Sequence, residues 1–223
     1  MKLPGPGARG AVLAVCGTVI TLCVAGWATG DPPPLRVGAH LALYGVAFVA
    51  YLGALAASPG LSRRGLLLAL AVALAWRVAL VAAPPFNDDI NRYVWEGRIQ
   101  HHGGNPFKWS DRPTVERWTP LRDEVWEGIN HRRMPAIYPP LFPLAARGVT
   151  AVHDSVAAMK VFLVLCELAT LGLLAWVLRL RRLPVERLLI MAWSPLALVE
   201  IAGAGHNDAF AMMWMVAALL ALD

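Results

Sequence analysis

From Ala11 to Thr29 the chain runs without a charged side chain, and as a helix this stretch would rise roughly 28 Å, enough to cross the hydrocarbon core of a bilayer. No water in that core can satisfy a backbone N–H or C=O, so such a run must be helical. Two more apolar runs follow, near Gly38 to Ala57, which carries no charge, and near Gly65 to Ala83, whose one charged side chain is Arg77. Asp31 with Pro32, Pro33 and Pro34 makes the first turn, and Arg63-Arg64 the second. A cleaved signal peptide could also follow Lys2 and Arg9, but this apolar run is long for one and another span comes soon after it. The fold class is therefore all-α, a polytopic transmembrane helical bundle. Composition agrees, since 57% hydrophobic and 16% charged residues is too apolar for a water-soluble domain. The net charge of +5 comes with no basic helix or nucleic-acid motif. Its Arg clusters flank apolar runs, so the expected partner is the lipid bilayer and not nucleic acid. Cys16, Cys23 and Cys166 lie inside apolar stretches without paired spacing and read as packing residues.

Pro84-Pro85 stops the third helix, because proline has no N–H to continue the ladder. About fifty mostly polar residues follow, with eight acidic and eight basic side chains between Asp88 and Arg133. Val115, Trp118, Leu121, Val125 and Ile129 recur at nearly helical spacing, which predicts an amphipathic helix on the membrane surface. Ile137 to Val152 is short and holds Pro139, Pro140, Pro143 and Arg147. If it does not cross, Val156 to Leu178 returns the chain so that Arg179, Arg181, Arg182 and Arg187 join Lys2, Arg9, Arg63 and Arg64 on the cytoplasmic side. It is therefore read as an outer-face interfacial or re-entrant helix. A fifth span runs near Arg187 to Ile201, and a sixth starts after His206-Asn207-Asp208 and is still apolar at Asp223, as though further spans followed. Three parts result: residues 1–83 with three spans, an extracytoplasmic loop over 84–153, and three further spans over 154–223. The protein belongs by this reading to the cell membrane, inner or plasma, with a cytoplasmic N-terminus.

Asn87-Asp88-Asp89 stands where the third span leaves the bilayer, and Ile90, Val94 and Ile99 continue at helical spacing to Gly103-Gly104. This predicts a short helix capped by Asn87, with both carboxylates in its first turn, where free N–H groups and the helix dipole favour the ionised form. Arg92 projects near them three and four residues on, with Glu96 one turn further. Such a face is either a solvated helix start or a charged reactive cleft. Arg77, Glu167 and Glu200 lie within spans, where ionisable groups are costly. An Arg77–Glu167 ion pair is preferred to a proton relay. His101, His102 and His131 match no standard metal spacing, so no metal or other cofactor is assigned, with a divalent ion left as an open alternative.

The segments NDDINRYVWEGRIQHHGGNPF, INHRRMPAIYPPL and GHNDA, in that order, resemble the GT-C membrane glycosyltransferases. They resemble in particular the bacterial polyprenyl-phosphate-mannose-dependent mannosyltransferases, whose pattern reads (S)DD-x-YRY-x-WDGR, G-x-NPY, INHP-x-x-x-x-YPP and GH-x-DA. Here Asn87, Asn91, Glu96, Phe107 and Arg132 depart from it. The resemblance implies an extracytoplasmic active site, a sugar (mannose foremost) carried on a polyprenyl-phosphate donor, a glycan or glycolipid acceptor, and inversion at the anomeric carbon. A phosphate leaves without a protein acid, so one carboxylate suffices as base. Asp88 or Asp89 is that base, with a slight preference for Asp89. Arg92, Arg98 and Lys108 are the candidate phosphate cations. Trp95 and Tyr138 could stack on a sugar or anchor at the interface. Tyr93, Glu96, Asn105, His131, His206 and Asp208 complete the substrate-binding set, His206 and Asp208 returning to the outer face or capping the next helix. Competing readings are a transporter or flippase, in which Arg77 and Glu167 would matter more, and a noncatalytic subunit or inactive fragment.

Overall fold

The three apolar runs each form one long helix in the computed structural model, which describes residues 6–30, 36–110 and 114–222. Lys2, the turn at Asp31, Pro32, Pro33 and Pro34, the Val115 side chain and Asp223 lie outside the described residues. Helix α1 spans Pro6–Thr29, α2 Val37–Ala57 and α3 Arg63–Ala82. Ser62 starts α3 by accepting the Gly65 N–H with its side-chain oxygen, which satisfies one of the donors a helix start leaves open. After α4 (Asp89–His101) and α5 (Leu141–Val152) comes the 25-residue α6 (Val156–Leu180). α1, α2, α3 and α6 are each long and apolar enough to cross a membrane. No strand occurs among the described residues, so the all-helical polytopic bundle holds.

Two expectations about the helices need correction. The fifth span is not one straight helix: α7 (Val185–Ala192) and α8 (Pro195–Ala204) meet at a 48° bend. Pro195 has no N–H to offer the preceding turn, and Ser194 restarts the helix by accepting the Ala197 N–H. α9 (Asp208–Ala221), the expected sixth helix, packs along α6. The predicted amphipathic helix is instead three short turns, Thr114–Arg117, Thr119–Leu121 and Glu124–Glu127. Pro120 interrupts the ladder, and Asp123 starts a new turn by accepting the Val125 and Trp126 N–H groups. The apolar side chains of these turns do not lie on lipid. Trp118, Trp126 and Ile129 are buried with Trp95, Ile99 and Trp109 in a core of their own, under the guanidinium groups of Arg117, Arg122 and Arg132.

α5 has only twelve residues, a rise of about 18 Å, too little to cross. It packs on α4, where a Cβ on Gly97 would lie 2.6 Å from the Ala146 carbonyl oxygen; glycine is what permits that approach.

Within the bundle, several polar side chains find partners, as a bilayer interior requires, though the buried Trp27 indole N–H has none. Trp76 donates to Thr21 Oγ1, Trp193 to the Ala69 carbonyl, and Tyr51 to the Ile190 carbonyl. Arg77 binds Glu167 through two parallel bonds, Nε to Oε2 and Nη2 to Oε1, while its Nη1 donates to the Ala73 and Ala192 carbonyls. This is the expected intramembrane pair. Lys160 has no opposite charge three or four residues away, yet its buried ammonium donates to the Leu80 and Ala83 carbonyls, closing the C-terminus of α3, where a cation also meets the negative end of the helix dipole.

The helices run alternately up and down, so their ends collect. Arg9 reaches the Pro59 carbonyl and Glu186 the Gly60 N–H at one end. At the other, His40 packs between Trp27 and Phe86, and the Phe86 N–H donates to the Gly203 carbonyl. That second end carries the charged turn at Asp88-Asp89.

Candidate active site

Asn87 organises the start of α4, as expected, though by one residue's shift: its Oδ1 accepts the Asp89 N–H at 2.9 Å, and Asp89 is the first helical residue. Asp88 is exposed and Asp89 half-buried. Between them comes a residue outside the expected set. Asn130 Nδ2 donates to Asp88 Oδ1 and to Asp89 Oδ1, each at 2.7 Å. Its carbonyl side faces the other way, with Arg92 Nη2 donating to Asn130 Oδ1 at 2.8 Å and to its backbone oxygen at 3.0 Å. The amide can sit only this way round, because the reverse would aim oxygen at two carboxylates and N–H at a guanidinium. Asn130 thus spaces two like charges and ties both to Arg92. The neighbouring His131 has φ 44°, a left-handed turn that costs a non-glycine residue about 1 kcal/mol; it redirects the chain straight after Asn130.

His206 completes the group from the corner between α8 and α9. Its Nε2 lies 2.9 Å from Asn87 Nδ2 and 3.9 Å from Asp89 Oδ2, and its Nδ1 lies 2.8 Å from Glu200 Oε2. The hydrogen bond to Glu200 holds the ring's pKa above the usual histidine range. Beside this cluster a cavity of about 220 Å³ is lined by Trp27, Arg36, His40, Leu43 and Phe86.

Of the residues expected at the site, Asp88, Asp89, Arg92 and His206 are therefore together. The Tyr93 hydroxyl lies 3.2 Å from that of Tyr138, next to Phe142, and burial pushes Tyr93 well above the usual phenol range. Asp208 is exposed in the first turn of α9. Others stand elsewhere. Trp95 is 0% exposed between Trp109 and Trp126, which leaves no face for a sugar or for lipid. Arg98 is held by Asp123 at 2.8 Å and Asp154 at 2.7 Å, so its fork ties the loop to the start of α6 instead of meeting a phosphate. Asn105 Oδ1 accepts the Phe107 N–H in a local turn. His131 and Lys108 are exposed. Among the described residues no three His, Cys, Asp or Glu side chains converge as metal ligands would.

Glu96 points away from solvent, one turn beyond Arg92, and neither of its carboxylate oxygens makes a hydrogen bond. Burial pushes its pKa up to about 8, the nearby Arg92 charge and the Trp109 indole offsetting only part of this. Between its ordinary value near 4.5 and about 8 the folded chain keeps a proton that the unfolded chain has lost, so stability should fall as pH rises through that window and level off above it. Glu96→Gln removes the effect. Thermal unfolding in micelles should show the variant more stable than the parent, by a margin that widens from pH 5 to pH 8.

A family model described as alpha-(1->6)-mannopyranosyltransferase, N-terminal domain (MptA_B family) matches residues 8–222, nearly the whole chain. No curated protein and no solved structure matches it.

Proposed function

Because the chain belongs to the alpha-(1->6)-mannopyranosyltransferase family, we propose that it serves a membrane enzyme that moves mannose from a polyprenyl-phosphate donor to a glycan or glycolipid acceptor. The observation that carries this reading is the Asn130 bridge, which holds two carboxylates and a guanidinium within one turn of α4 at an end of the bundle. A carboxylate there can accept the acceptor hydroxyl's proton as the bond to an oxocarbenium-like carbon forms. Charge building on the departing phosphate calls for fixed cations, and Arg92 stands beside the carboxylates, with Arg36 lining the adjoining cavity. Displacement inverts the anomeric centre, so an α-(1→6) product requires a β-linked donor. The site faces the extracytoplasmic side by the positive-inside rule, since Arg9, Arg63, Arg64, Arg179, Arg181, Arg182 and Arg187 cluster toward the opposite end. A transporter path through Arg77 and Glu167 finds less support, because those two groups spend their hydrogen bonds on each other and on backbone carbonyls.

Donor choice tests the reading directly. The full-length protein in membranes should pass labelled mannose from a β-linked mannosyl polyprenyl phosphate, and not from nucleotide-linked mannose, to a product cleaved by an α-mannosidase. Transfer from the nucleotide sugar alone would show that the lipid donor is wrong.

A further inference from the structure

His206 meets the start of α4 with its ring in one tautomer. A backbone N–H can only donate, so the Asn87 atom 2.9 Å from the Asp89 nitrogen is Oδ1, and the atom 2.9 Å from His206 Nε2 is the amide nitrogen. That nitrogen offers hydrogens and no lone pair. Nε2 therefore accepts, and the ring proton sits on Nδ1, 2.8 Å from Glu200 Oε2. The result is a basic ring nitrogen 3.9 Å from Asp89 Oδ2, with a carboxylate behind it to stabilise the imidazolium.

The backbone around this pair is unusual. Leu198–Ala204 is a π-helix, a rare form that recurs at functional sites. The His206 N–H donates to the Glu200 carbonyl, and Gly205 at φ 79° turns the chain back, so the two side chains face one another. A Cβ on Gly205 would come within 2.3 Å of Ile90, and one on Gly203 within 2.3 Å of Phe86. The two glycines let the α8–α9 corner close on α4.

We infer that Glu200 is a positioning residue that holds His206 as the proton acceptor for Asp89, so that Asp89, not Asp88, is the base reset in each turnover. This rests on the transferase reading above. The acceptor oxygen bonds to the anomeric carbon while the carbon–oxygen bond to phosphate breaks and the phosphate leaves with the electron pair. The hydroxyl proton goes to Asp89. The Asn87 amide then swings aside, Asp89 Oδ2 closes on Nε2 to about 2.8 Å, and the proton passes to the ring and from there to water. Asn130 bonds to both aspartates, but the carboxylates that face the ring are those of Asp89 and Glu200.

The test is the pH dependence of kcat in the full-length protein with the lipid donor. The charges that bear on His206 are Glu200, Asp89 and Asp208, and Glu200 in turn faces His40 and Tyr44 from α2. Only the neutral ring accepts a proton, so kcat falls as pH drops through the ring's raised pKa. Glu200→Gln keeps an oxygen for the Nδ1 proton but removes the charge. Its acidic limb should move to lower pH and its plateau kcat fall about tenfold, with KM unchanged. His206→Ala should lose about a hundredfold, and added imidazole should restore part of it. An unmoved limb and unchanged kcat in Glu200→Gln, while Asp89→Asn stays inactive, would overturn the relay and leave the transferase reading standing. Failure of the unaltered protein to use the lipid donor would sink that reading instead. If Glu200→Gln does not accumulate, imidazole rescue decides: recovery of His206→Ala supports the relay, and no recovery in a variant that still binds donor overturns it.

Discussion

Asp89→Asn in the full-length protein should lower mannose transfer at least about a thousandfold, whereas Asp88→Asn should cost about tenfold. The contrast follows from surroundings, since the two residues share a chemistry and a partner. Asparagine at position 89 can still present an oxygen to Asn130 Nδ2, so the local hydrogen bonding survives, but it cannot take up a proton. Losing one negative charge at the start of α4 costs only about 0.3–1 kcal/mol through the helix dipole, so the variant should fold. Asp88 is exposed and acts through Asn130, which Asp89 and Arg92 continue to hold. Initial rates with the lipid donor, alongside melting temperatures of both variants, separate chemistry from folding. If both variants keep near-parental rates, neither carboxylate is the base and the proposed mechanism fails.

Local sequence discloses features set by near neighbours and hides those set by distant ones. A strongly apolar run of about twenty residues has one stable state in lipid, so α1, α2, α3 and α6 could be read from length and hydropathy, even with Arg77, Lys160 and Glu167 inside two of them. Asn87 announced α4 because capping depends on neighbours one or two positions away. The Arg77–Glu167 pair was legible for a different reason: two opposite charges inside apolar runs have few ways to be satisfied. Asn130 lies 42 residues from Asp88, and although it stands in the INHRRMPAIYPPL segment, no local spacing pairs it with the two aspartates. Glu200 faces His206 only because the π-helix and Gly205 turn the chain there. The Trp118 to Ile129 stretch misled because an aromatic core and a lipid-facing stripe share one period. Pro120 and Asp123 were the signals that the helix is broken, and Trp95 becomes a core residue once those turns fold over it.

Breaking the Arg77–Glu167 pair on one side should be the most damaging change to stability. Their side chains are 1% and 0% exposed, so Arg77→Met alone leaves a buried carboxylate with no cation, and Glu167→Leu alone leaves a buried guanidinium. Each should cost about 3–5 kcal/mol and deplete the folded protein in membranes. The double variant Arg77→Met with Glu167→Leu leaves neither charge stranded. Its stability should return close to the parent's, short of the loss from the Ala73 and Ala192 carbonyls, whose bonds to Arg77 disappear. Folded yield and melting temperature in micelles, measured for the four proteins of this cycle, test the coupling. Activity of the double variant adds a second discrimination. A transferase whose chemistry lies at Asp89 should keep transferring mannose without the pair, because neither residue touches the Asn130 cluster. A folded double variant without transfer would place these charges on the functional path, the outcome expected if ions or substrates moved through the bundle.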